Sequence, residues 1–270
     1  MQKPQIFVLS QTKELTMVKL AALPVSKDEL SRNGIPQELF LGNPDICEFS
    51  EPDGIVLTLV TSRAGRIYFD EKNPTAQEVF TELTLLTAHS FGMELDETSN
   101  DGTLHHLQDH DVLVMLHDEK GIAGFASGFF SMDGLFYLHG IAIAPRAKGR
   151  GAARRMVNLM LGVSGTTGIT FTTQNPVMFC LLRSICATTY PTSEHSIPAH
   201  LQKQVIAVMQ GRNGTLDPVT GIVHDLYGRC LYPQLPESRD SAVNSWFAEA
   251  LNVSAGQTRN AFVFVGQNPR

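Results

Sequence analysis

Cysteine, tryptophan and charge are all scarce in this 270-residue chain, which has four cysteines, one tryptophan and only 18% charged residues. Cys47, Cys180, Cys186 and Cys230 are too few and too widely spaced for a disulfide scaffold. No Cys-x-x-Cys pair marks a structural zinc, so no metal is expected and a reducing compartment fits. Twenty-one Lys and Arg against 27 Asp and Glu leave a net charge of -6. That balance excludes a nucleic-acid partner gripped by a broad basic surface. Long apolar runs are missing as well. No stretch approaches the 18 residues of a membrane span, and Ile6–Leu9 is too short for the core of a secretory leader. These absences point to a cytoplasmic chain with no membrane or nucleic-acid partner.

Several enzyme markers are also missing. No Gly-x-x-x-x-Gly-Lys-Ser/Thr serves an NTPase phosphate loop, and no Gly-x-Gly-x-x-Gly serves a dinucleotide fold. Gly162-Val163-Ser164-Gly165 fails as a nucleophile elbow. Leu104–His110 has the composition of a metal site without a ligand pattern, and reads as a polar helix end. Cys180 and Cys186 read as packing residues on an apolar helix.

What remains is a globular chain. Its hydrophobic content of 43% supports a sizeable core, and its length suggests one large domain or a domain with an appendage. Up to about Arg63, among scattered prolines, only Gly54–Thr61 reads as a strand. Arg66–Phe69 follows as a short strand. The stripe Val79, Leu83, Leu86 marks a helix starting near Pro74. Asp111–His117, Ile122–Ser131 and Leu135–Ala144, joined by tight turns, form an antiparallel meander. Helix Ala152–Leu161, strand Ile169–Thr173 and a helix from Pro176 to about Cys186 then make a crossover unit, whose strands are parallel neighbours. The stretch 188–236 is rich in turns and holds one helix, Ala199–Gln210. Helix Asp240–Leu251 and strand Ala261–Val265 close the chain.

The informative segment is Arg146-x-x-Gly149-x-Gly151-Ala152, between the apolar strand and a helix. There the N–H groups of the loop and of the helix's first turn have no intrahelical partners and form an anion site. Glycines let a phosphate approach the main chain where a Cβ would collide. Arg146, Lys148 and Arg150 add positive charge, so a pyrophosphate is the natural guest.

This loop and its setting resemble the GNAT superfamily of acyl-CoA-dependent acyltransferases, whose signature Gln/Arg-x-x-Gly-x-Gly/Ala follows the fourth strand. The likeness covers about Arg66 to Cys186, with Ala261–Val265 as the last strand. It implies an α/β (α+β) fold: a mixed, mainly antiparallel sheet flanked by helices. Residues 1–64 form an N-terminal appendage and 65–270 the acyltransferase domain, with an insertion at about 188–236. It also implies acetyl-CoA as cosubstrate and an amine acceptor, a small molecule in preference to a protein. Ile141, Ala142 and Ile143 match the positions that bond the pantetheine arm. Asn175 matches the polar group holding the arm from the other side, and also reads as an N-cap before Pro176. Gly149, Gly151, Ala152 and the three cationic residues of the loop would hold the phosphates.

Direct attack of an amine on a thioester needs a base for the ammonium proton and an acid for the departing thiolate. Tyr137 and His139, two apart, share a face of the strand. Serotonin-type members of the family carry two histidines at the matching positions. The resemblance therefore makes His139 the candidate base and Tyr137 a wall of the acceptor site. The family's usual acid, a helix Tyr, falls here on Leu182, which leaves Tyr190, just past the helix, as the nearest hydroxyl; it also reads as a plain Tyr-Pro turn. Two other readings stay open: a non-catalytic acyl-CoA-binding module, and a transferase acting on protein N-termini or lysines.

Overall fold

The computed structural model describes residues 46–51, 53–61, 74–92, 103, 107, 110–130, 134–253 and 258–269. Its chain divides into two units, one of residues 1–90, 94–129 and 139–165, the other of 91–93, 130–138 and 166–270. The expected strand Arg66–Phe69, the turn residues 132–133 and most of the His-rich stretch 104–110 lie outside the described residues.

In the first unit, β1 (Ile46–Ser50), β2 (Val56–Thr61), β3 (Val112–Asp118), β4 (Gly121–Phe130) and the second half of β5 (Leu135–Ile143) are neighbours in that order. β2 pairs antiparallel with β3 over six residue pairs, from Val56↔His117 to Thr61↔Val112. β3 is buried along nearly its whole length, so it reads as a continuous apolar run rather than an alternation. Helix α1 (Pro74–Phe91) lays Leu83 and Leu86 against Leu113, Met115 and Phe125. Helix α2 (Ala152–Ser164) buries Met156, Leu159, Met160 and Val163, the i, i+3, i+4, i+7 stripe of an amphipathic helix. Arg155 of α2 holds Asp53, in the β1–β2 turn, through two bonds of 2.9 and 2.8 Å.

In the second unit, the first half of β5 runs parallel to β6 (Gly168–Thr173), from Leu135↔Gly168 to Tyr137↔Thr170. β10 (Ala261–Pro269) lies antiparallel to β6. On its other edge, β10 meets β9 (Ile222–His224) and then β7 (Cys186–Tyr190). β8 (Thr215–Leu216) completes the set. α3 (Pro176–Ile185), α4 (Ala199–Met209) and α5 (Ser241–Ala250) belong to this unit. Phe179 of α3, Trp246 and Phe247 of α5, and Phe262 and Phe264 of β10 pack ring against ring at 4.7–6.4 Å. Such aromatic burial carries much of a core's stabilisation.

The mixed, mainly antiparallel sheet flanked by helices is thus present, with the meander and parallel crossover where the sequence puts them. Three local readings change. β1 was not anticipated. β10 runs on to Pro269, through the polar Gln267 and Asn268. Cys186 leaves the helix and begins β7, because its segment is recruited by β10.

Candidate active site

β5 ends at Ile143, and the Ala144 N–H bonds the Ala123 carbonyl at 2.9 Å. One 3-10 turn, Pro145–Ala147, leads to Lys148 in extended conformation. Gly149 and Gly151 then take φ of +76° and +78°, the left-handed region that glycine enters without strain. A Cβ built on either would meet no protein atom within 4 Å, so space beside both is open. The first helical turn of α2 closes when the Arg155 N–H reaches the Gly151 carbonyl at 3.0 Å. The N–H groups of Ala152, Ala153 and Arg154 come before any partner one turn back, which is the physical content of an anion site.

The three cationic side chains of the loop divide. Lys148 and Arg150 are exposed. Arg146 is committed: Nε donates to Asp118 at 2.8 Å and Nη2 to the Ile122 carbonyl at 2.7 Å. It ties the loop to the β3–β4 hairpin. Burial pushes the Asp118 carboxyl up, but the hydrogen bonds from Arg146 and the Lys120 N–H outweigh it and hold the group below the usual carboxylate range.

Along β5, Ala142 is buried and Ile141 and Ile143 are half-buried. The Ser90 hydroxyl donates to the Ile143 carbonyl at 3.1 Å and accepts from its N–H at 3.2 Å, so this end of the strand already has a partner. His139 is half-buried, its ring 5.0 Å from that of Phe129. The ladder to β6 ends at Tyr137↔Thr170.

In the second unit, the Tyr137 hydroxyl lies 3.2 Å from Thr172 Oγ1, which lies 3.1 Å from the Tyr227 hydroxyl. Arg212 stacks on the Tyr137 ring, its guanidinium carbon 3.9 Å from the centroid. Asn175 caps α3 by accepting the Val177 N–H at 2.9 Å, and its amide nitrogen faces the Tyr232 hydroxyl at 3.5 Å. Burial pushes Tyr232 up to about 12 and Tyr227 higher still, although part of each residue faces solvent. Both phenols are protonated at neutral pH, as an ordinary tyrosine is, and resist deprotonation further. Leu182, where a helix tyrosine would sit, is fully buried. Tyr190 pairs with Val265 and packs on the apolar cluster of Leu135, Ile197 and Val263. Among the described residues, no group of three or more His, Cys, Asp or Glu could hold a metal, and no helix is long and apolar enough to cross a membrane.

Residues 76–176 match the sequence model of the acetyltransferase (GNAT) family. Over that segment the chain is similar to the GNAT acetyltransferases. The matched segment contains β3 to β6, the glycine loop and Asn175. No curated protein sequence matches the chain. Among solved structures, it is similar to the ribosomal-protein-S18-alanine N-acetyltransferase from Escherichia coli, at 10% identity and TM-score 0.43, over 79% of this chain and 95% of that one. It is also similar to diaminobutyrate acetyltransferase from Paenibacillus lautus, at 13% identity and TM-score 0.40, over 82% and 96%. The IAA acetyltransferase from Bacillus cereus shares 10% identity at TM-score 0.42, over 79% and 99%. Arg212, Tyr227 and Tyr232 all lie beyond the GNAT match, in the stretch that sequence reading leaves as an insertion. Turn-rich composition says nothing about which side chains such a stretch carries back to the sheet.

Proposed function

We propose that this GNAT domain transfers the acetyl group of acetyl-CoA to a primary amine by direct attack, and that the Arg146–Ala152 loop holds the CoA pyrophosphate. One observation carries the reading. Two left-handed glycines with open space beside them lead into a helix whose first N–H groups have no partner one turn back, with Lys148 and Arg150 exposed beside them. A diphosphate fits that cradle in size and charge. Arg146 shapes the loop from behind, since its donors already serve Asp118 and Ile122. Ile141 and Ala142 offer the strand edge for the pantetheine amides, with Asn175 as a further polar contact.

Acetyl-CoA would supply the activated acyl group; the remaining work falls to side chains. His139 takes the proton of the incoming ammonium, a task for which imidazole is the side chain of choice near neutrality. The freed nitrogen forms the new C–N bond as the C–S bond breaks. Tyr232, a phenol that is protonated at neutral pH, gives the departing sulfur a hydrogen bond in place of the tyrosine absent at Leu182.

Release of free CoA thiol from acetyl-CoA, measured with a panel of amines, tests the reading. Folded wild-type protein should turn over at least one amine class. His139→Ala should lower kcat/KM by about 10²- to 10⁴-fold, the usual contribution of a positioned base, with the deficit shrinking as pH rises and free amine accumulates. A variant whose pH–rate profile matches the wild type removes His139 from the reaction.

A further inference from the structure

Arg212 occupies the turn after α4. Gly211 and Gly214 on either side have φ of +79° and +86°. A Cβ on Gly214 would lie 2.5 Å from the His224 carbonyl oxygen, so this position of the turn admits no larger side chain. The Arg212 N–H bonds the Met209 carbonyl at 3.1 Å, and Nε donates to the Val208 carbonyl at 3.2 Å. The guanidinium carbon lies over the Tyr137 ring, 3.9 Å from its centroid. That contact and the Nε bond position the group. What remains is the end edge of the fork, two parallel N–H donors from Nη1 and Nη2.

No carboxylate among the described residues forms an ion pair with Arg212, whereas Arg146, Arg155 and Arg183 each have one. Arg212, half-buried, held at Nε and seated over an aromatic ring, keeps an end edge with no partner among the described residues, and that edge is matched by a planar oxyanion arriving end-on. Tyr137, on which it lies, also begins the hydroxyl chain through Thr172 to Tyr227. A phosphate dianion would leave one charge uncompensated in this half-buried place, but a carboxylate is neutralised by the single cation.

We propose that Arg212 is the recognition residue for a carboxylate on the acceptor, so that the amine acetylated is an amino acid or another amine bearing a carboxylate. The proposal rests on the acetyl-transfer reading and narrows its substrate class. It also gives Tyr137 a function distinct from proton transfer, as the platform that orients the cation.

The test compares matched pairs that differ only in the carboxylate: L-lysine with cadaverine, L-phenylalanine with phenethylamine, and L-alanine with ethylamine. Two readouts are taken for each, CoA-thiol release from acetyl-CoA and calorimetric binding. In at least one pair the wild type should favour the amino acid by about 10- to 100-fold in kcat/KM and in affinity, the range of a charge-assisted hydrogen-bonded contact. In Arg212→Gln and Arg212→Lys that ratio should fall toward one, with folding checked by circular dichroism. Preference for the amino acid in binding without any acetyl transfer would uphold the carboxylate site and overturn the transferase reading. Transfer to the simple amines with no preference in any pair would overturn the carboxylate site alone. Loss of CoA affinity in Arg212→Gln to the same degree would assign the cation to a CoA phosphate, and likewise overturn the proposal.

Discussion

His117 is a buried histidine of the first unit. It lies on β3 opposite Val56, with only 9% of its surface exposed and no hydrogen-bond partner for Nε2 among the described residues. Burial pushes its pKa down to about 4, and the neighbouring Asp118 carboxylate offsets this only in part. The unfolded chain binds the proton near pH 6.5 and the folded chain only near 4, so protonation favours unfolding. Stability should fall as pH drops from about 6.5 toward 4, by up to about 3 kcal/mol from this residue. Urea denaturation across that range should show the slope in the wild type and a flatter one in His117→Phe. Equal slopes would show that another group controls the acid limb. At this scale the loop glycines were legible beforehand, since a glycine pattern between strand and helix is a local signal. Arg146 was legible only by its charge; that the charge serves Asp118 depends on a hairpin 28 residues upstream.

Among the elements, one buried side chain just past β6, Gln174, joins the segment leading into β10 to the segment around Leu231. It is fully enclosed, donates to the Thr258 and Asn260 carbonyls at 3.1 and 3.0 Å, and accepts the Leu231 N–H at 2.8 Å. Leu231 precedes Tyr232, so the same amide anchors the segment that presents the proposed acid. Gln174→Leu would leave three backbone groups without partners, at about 1–3 kcal/mol for each one that stays dry. We expect a loss of about 2–5 kcal/mol in chemical denaturation; a variant as stable as the wild type would mean that water replaces the amide. None of this was visible in Gln174-Asn175-Pro176 as a sequence, which announces a helix start and nothing more. Helices α2, α3 and α5 were readable because their apolar stripes and caps are local: Asn175 accepts from Val177, and Asp240 from Val243. β7 escaped notice because CATTY has no buried alternation, and is a strand only through its pairing with the far end of β10. Arg212, Tyr227 and Tyr232 share that invisibility, since their surroundings are set by contacts distant in sequence.

At the scale of the molecule, the first unit contains the glycine loop, the start of α2 and His139, and the second contains Tyr137, Tyr227, Tyr232, Asn175 and Arg212. The central claim is that the loop binds acetyl-CoA through its main chain. Calorimetric titration of acetyl-CoA into the wild type and into Gly151→Trp tests it most directly. Because a Cβ at Gly151 meets no protein atom, the substitution leaves the core intact and costs the fold about 1–2 kcal/mol of left-handed strain. Binding should saturate in the wild type and be lost in the folded variant; equal affinity in both, or none in the folded wild type, would show that the loop does not hold acetyl-CoA.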